Sequence, residues 1–305
     1  MRASHWVWIV VAALGWGTGG IATRAAFGEG VGVWTMVAAR TTIAALLVLI
    51  VLIAQRSALP TRRVLRYGLV QAAFNLIIPY VLFTFAYGEA SAGFVGLLTA
   101  LIPLTTAVFA NFMLPDEPLS AARLVALFVA FTGVAALLLS GDSGLSDGGR
   151  PLLAIGLGLT AVTSVGYAGT FAKRHVDEYN PIVMAGLQFG LSAVILLVVM
   201  FAIEGVPGDV TAKGWGLLVF LAVAATFMPF LLFYWLLQFI AATDASLIGY
   251  LVPFFALIGG VILLGEELQA GIIIGGILVL TGMVLSDRAG RKAALRAKVG
   301  VADVA

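Results

Sequence analysis

A lone arginine, Arg40, stands about seven residues inside an otherwise apolar run that begins near position 33. A guanidinium in such surroundings is built to grip a carboxylate through two parallel hydrogen bonds. Phe230, Tyr234 and Gln238 follow one another at intervals of four, which puts them on one face of a helix. The positions 150 residues earlier are Tyr80, Thr84 and Gly88. Trp16, Asn75, Thr99, Tyr167 and Tyr250 are further polar or aromatic side chains in apolar runs. Together these types suit recognition: an anchor for a carboxylate within walls of hydroxyl, amide and aromatic groups. The bland alternative is interhelical hydrogen bonding for the polar set, and for Arg40 a long side chain reaching back to the headgroups. Bond-making chemistry has no candidate. His5 and His175 are isolated and the chain has no cysteine, so no metal, cofactor or nucleophile triad is expected.

The elements that must position these residues are membrane-length helices. The 305 residues are 62% hydrophobic and 10% charged, with a mean hydropathy of +1.10. Soluble domains carry charged residues nearer a quarter, and about 20 apolar residues cross the hydrocarbon core as a helix. Ten such runs are present, at roughly 6–27, 33–54, 67–87, 91–114, 121–140, 151–172, 181–203, 214–239, 245–265 and 270–286. The first run is too long for a signal peptide and reads as an uncleaved span. With the N-terminus inside, thirteen of the Lys and Arg residues fall on the inner side, from Arg2 to Lys298, and three outside: Arg24, Arg150 and Lys213. That asymmetry obeys the positive-inside rule and predicts both termini in the cytoplasm. A net charge of +2 gives no reason to expect nucleic acid as a partner; the lipid bilayer and a small-molecule substrate are the expected ones. Oligomeric state is left open.

The second half of the chain repeats the first. Pro79, Phe83, Leu97, Pro103, Asp116 and Glu117 recur as Pro229, Phe233, Leu247, Pro253, Glu266 and Glu267, each pair 150 apart. Gly17 and Arg24 match Gly166 and Lys173 at 149, and Arg40 matches Gln188 at 148. Because each copy has five spans, the second must enter the membrane from the opposite side, which is the architecture of alternating-access carriers. The predicted fold is therefore all-α, ten transmembrane helices as two inverted five-helix repeats. One repeat occupies 6–140, the other 151–286, and a basic cytoplasmic tail 287–305 follows. Pro79, Pro103, Pro229 and Pro253 lie inside spans, where each removes a backbone bond, and are expected to act as hinges or cavity walls. Gly15–Gly20 contains a GxGxxG match inside an apolar span, which predicts close helix packing rather than dinucleotide binding. Glu117 and Glu267 are expected to cap the helices that follow them. No Asp or Glu falls in the centre of a span, so no intramembrane carboxylate relay is expected.

The duplicated five-span unit, the Trp16–Gly17 pair, Arg40 early in the second span, the mid-span Pro103 and Pro253, and Glu117 and Glu267 closing the fourth spans resemble the EamA family of the drug/metabolite transporter superfamily. The resemblance covers about 6–286. It departs at Val165 and Gln188, which replace Trp16 and Arg40 in the second copy, so any role of those two belongs to one half. The family resemblance implies a carrier, not an enzyme, in the bacterial inner membrane, commonly an exporter of amino acids or related metabolites. The rival readings are a membrane-embedded enzyme acting on lipid, which would need a clustered acid or histidine site, and a non-transporting sensor.

Overall fold

A computed structural model describes residues 3–57, 59–115, 119–145, 149–236 and 247–302. Gln238, Asp116 and Glu117 lie outside the described residues, as do the side chains of Tyr234 and Tyr250. Among the described residues there are helices and no strands. Water is absent from a bilayer core, so a spanning segment must satisfy its backbone internally, and a helix does so. We number the spans α1 (Ala3–Phe27), α2 (Val33–Ala54), α3 (Arg62–Glu89), α4 (Ala92–Met113) and α5 (Ala121–Ser140). The second copy comprises α6 (Pro151–Arg174), α7 (Pro181–Ile203), α8 (Ala212–Ala222, continuing to Leu236), α9 (Leu247–Leu264) and α10 (Ala270–Ala302). Nine of these are long and apolar enough to cross a membrane among the described residues, and the apolar part of α9, Leu251–Leu264, is shorter.

Local sequence starts the helices where they start. Thr61, Ser91, Ser120, Asn180 and Thr211 accept a backbone N–H of the first turn that would otherwise lack a partner. Pro151 and Pro181 occupy first-turn positions, where a missing N–H costs nothing. Gly141, at φ 72°, ends α5 in the left-handed region. The last helix does not stop near 286 but runs on to Ala302 through a proline-free stretch rich in Ala, Arg and Lys.

The prolines shape the interiors of the spans. In α3 a π-helical turn, Ala72–Ile77, immediately precedes the turn of Pro79; in α8 the related turn Val223–Phe227 precedes Pro229. A proline offers no N–H and crowds the carbonyl one turn back, and widening that turn relieves the clash. Helix α4 breaks at Ala100–Leu101, just before Pro103. Pro253 sits inside the unbroken α9.

Contacts between spans follow the two-fold logic of an inverted repeat. Helix α1 packs on α8 and α9, and its counterpart α6 packs on α3 and α4; α2 pairs with α7, α5 with α10, and α4 with α9. Small residues allow the close approaches, as membrane helices gain nothing from expelling water. A β-carbon on Gly133 of α5 would come within 2.7 Å of the α10 backbone, and one on Gly15 of α1 within 2.5 Å of both Ala224 O and Pro229 Cγ of α8. The largest buried cluster joins α4, α5, α6 and α10 around Phe94, Leu98, Leu104 and Leu137.

Candidate functional site

Arg40 comes to rest against the widened turn of α8. Its Nη2 donates to Ala225 O at 2.9 Å and its Nε to Thr226 Oγ1. Thr226 is buried and donates in turn to Leu221 O at 2.8 Å. Ala225 lies four residues before Pro229, in the turn to which that proline offers no N–H, so the guanidinium supplies a donor where the helix is short of one. The same guanidinium lies over the Tyr80 ring, 4.3 Å from its centroid, an arrangement that favours the cation. Among the described residues Nη1 has no hydrogen-bond partner. The side chain thus turns toward the middle of α8. A β-carbon on Gly19 would stand 3.8 Å from Nη2, so α1 closes over this group with only a glycine.

Beside this anchor is an aromatic wall. Trp16 and Phe230 meet edge to face at 5.5 Å between centroids, and Phe230 meets the buried Phe189 at 5.4 Å. Tyr80 and Phe230 pack on one cluster with Leu76, Ala44 and Phe189, so the Arg40–Tyr80 pair and the Trp16–Phe230 pair belong to the same region. A small apolar cleft opens there between α2, α7 and α8, lined by Val48, Ala185, Phe189, Phe227 and Phe230 among others.

The inversion-related position carries a second polar pair. Gln188 of α7 is 1% exposed and accepts Asn75 Nδ2 at 3.0 Å, in the widened turn of α3. Its own Nε2 is buried without a partner. Two more donors serve that turn: Ser164 Oγ bonds Phe74 O at 2.7 Å and Ser192 Oγ bonds Ala72 O at 3.3 Å.

Of the residues that the sequence pointed to, Trp16, Arg40, Tyr80 and Phe230 are brought together. Thr84 is buried and its hydroxyl bonds back to Tyr80 O at 2.6 Å, on its own helix. Tyr167 belongs to a different aromatic column, with Phe74 at 4.9 Å and Phe109 at 5.6 Å, which continues through Phe171 to His175 and Tyr67. Pro79, Pro229 and Pro253 are buried, whereas Pro103 is exposed. Reading by type alone passed over Thr226 and treated Gln188 only as a departure from Arg40. The signal for Thr226 was its place three residues before Pro229, within the turn a proline disturbs.

The acidic residues differ from expectation in one respect. Glu267 is exposed, and of these two neighbours it is Glu266 that caps a helix, α4 of the other repeat rather than the helix that follows. Burial pushes the Glu266 carboxyl up, while the Ala92 and Gly93 N–H groups and Arg24 pull it down.

Comparison with known proteins agrees with the duplicated fold. The model of the EamA-like transporter family matches residues 4–139 and again 152–286, the two halves paired above. The transporter YoaV of Bacillus subtilis (strain 168) is 27% identical over 67% of this chain and 69% of its own length. The transporter YvbV of the same organism is 26% identical over 86% of this chain and 84% of its own. Protein PecM of Dickeya dadantii (strain 3937) is 24% identical over 71% of each. One solved crystal structure superposes with a TM-score of 0.65 over 96% of this chain and 99% of that one, at 18% identity, a likeness of fold.

Proposed function

The chain belongs to the EamA-like transporter family, and on that premise we propose that it exports a small organic carboxylate, an amino acid or close relative, by alternating access. The observation that carries this reading is Arg40: a half-buried guanidinium, braced on two sides, whose Nη1 edge has no described partner. A charge held within a span is costly and marks a ligand path. Its planar donors match a carboxylate, and Tyr80, Trp16 and Phe230 supply the walls. Tyr234, Gln238 and Tyr250 are assigned to the same cavity from their place in the sequence, and Pro79, Pro103, Pro229 and Pro253 to its hinges. Asn75 and Gln188 form a second pole, an amide pair with a donor to spare. The direction of transport rests on the family resemblance.

The two five-span units, 6–140 and 151–286, rock against each other, and the basic tail from 287 rests on the cytoplasmic leaflet of the bacterial inner membrane. The thirteen-to-three distribution of basic residues supports that orientation. The end bearing Glu29, Glu89, Glu204 and Glu266 is then the outer one.

The test is a screen of radiolabelled amino acids in reconstituted vesicles, followed by Arg40→Gln on any solute that moves. Loss of a charge-assisted bond costs about 1.5–3 kcal/mol, roughly ten- to a hundredfold in affinity. Arg40→Gln is expected to abolish uptake in protein that still inserts. Unchanged uptake would reduce Arg40 to a brace for α8, and a screen in which nothing moves would overturn the amino-acid reading.

A further inference from the structure

At the outer end, among the described residues, four glutamates tie elements of one repeat to the other repeat or to the connection between them. Glu29, between α1 and α2, meets Lys213 Nζ at 2.7 Å and Thr211 Oγ1 at 2.6 Å at the start of α8. Glu204, at the end of α7, accepts the N–H groups of Trp34 and Thr35 at 2.9 and 2.7 Å, capping α2. Glu89, at the end of α3, is held by both Nε and Nη2 of Arg150, the residue before α6. Glu266, between α9 and α10, lies 2.9 Å from Arg24 Nε and accepts the N–H groups of Ala92 and Gly93 at 2.7 and 3.3 Å.

The fourth differs in kind. The Lys213 and Arg150 side chains are 73% and 69% exposed, so water shares their contacts, whereas the Arg24 and Glu266 side chains are 22% and 5% exposed. Arg24 also donates through Nη1 to Tyr87 O at 2.8 Å and Ala90 O at 3.0 Å, the last turn of α3. A single ion pair therefore ties together α1, the end of α3, the start of α4 and the α9–α10 connection. At the opposite end one ion pair, Arg63 with Glu178, is open to water, with side chains 70% and 32% exposed. The pair is also linked along α1 to the surroundings of Arg40. Thr23, beside Arg24, is 1% exposed and bonds to Gly19 O, and Gly19 faces Arg40.

We propose that Arg24 and Glu266 form the latch that keeps the outer end closed, and that the pair must part for solute to leave on that side. The proposal deepens the alternating-access reading and rests on it. A buried ion pair holds while both partners are present; removing one strands the other and weakens the closed state. Outward opening should then become more populated.

The cysteine-free chain makes the test direct. Thr23→Cys becomes the only thiol, and its reaction with a membrane-impermeant methanethiosulfonate is timed in right-side-out vesicles. In the parent the thiol should react slowly. Adding Glu266→Gln should speed it roughly tenfold or more, because it removes one partner of a buried ion pair and strands the other. Adding Glu267→Gln, at the exposed neighbour, should leave the rate unchanged. If Glu266→Gln does not insert, Arg24→Lys keeps the charge, gives up the two carbonyl bonds of Nη1, and should show a smaller rise. An unchanged rate in an inserted Glu266→Gln or Arg24→Lys protein overturns the latch. Labelling needs no transported solute, so a vesicle screen in which nothing moves would sink the amino-acid reading and leave this result standing.

Discussion

Arg40 does two things with one side chain. Nε and Nη2 brace the turn that Pro229 disturbs, and Nη1 keeps a donor edge with no described partner. Its counterpart Gln188 braces the related turn of α3 through Asn75 and carries no charge. The two positions were visible in the sequence as a repeat-related pair, but not that each would face a proline-widened turn. That required the π-helical turns to exist, and they depend on how neighbours satisfy the backbone. If Asn75 and Gln188 are the second pole of the site, their loss should be felt in transport rather than in folding. Replacing both partners of a buried hydrogen bond by apolar groups of similar shape is nearly neutral. The double variant Asn75→Leu/Gln188→Leu is expected to melt within about 1 kcal/mol of the parent. In the same protein, the order of preference among competing amino acids should change. An unaltered order would make the amide pair a packing device.

Between elements, the closest approach near the site is that of α1 to the kink of α8. Helical geometry makes a glycine at 15 the condition for it, because a β-carbon would fall within 2.5 Å of Ala224 O and Pro229 Cγ. Overpacking of that kind costs about 1–3 kcal/mol, so Gly15→Ala should lower the melting temperature in detergent. Gly156→Ala is the control: nothing lies within 4 Å of its β-position, and alanine is the better helix former by up to about 1 kcal/mol. That variant should be neutral or slightly more stable. Equal melting of the two would mean that α1 sits further from α8 than described. The apolar context of the glycine-rich run is enough to mark it as a packing surface. Which glycine meets which helix was beyond reach, since α1 contacts α8, α9 and α3 on different faces within six residues.

For the whole molecule, orientation is the property on which the proposed outer latch and the proposed export direction both depend. Leu59, 94% exposed between α2 and α3, and Val206, 79% exposed between α7 and α8, lie at opposite ends. As single cysteines in intact cells, Val206→Cys should react with an impermeant reagent at once, and Leu59→Cys only after permeabilisation. The reverse pattern would turn the molecule over. It would also make Arg24 and Glu266 an inner latch.

The sequence by itself determined the number and order of spans, their duplication and the class of protein. Each of these is a one-dimensional property: apolar run length is matched to bilayer thickness, and five spans per copy force the inversion. It also pointed to Arg40, because a charge in an apolar run is conspicuous without coordinates. Only the tertiary structure decided which polar groups act together. Thr84 turns back on its own helix, Tyr167 joins another aromatic column, and Glu266 caps a helix 174 residues earlier in the chain. Hydrogen bonds and ion pairs reach only about 3 Å, so a partner is fixed by the packing of ten helices and not by spacing along any one of them.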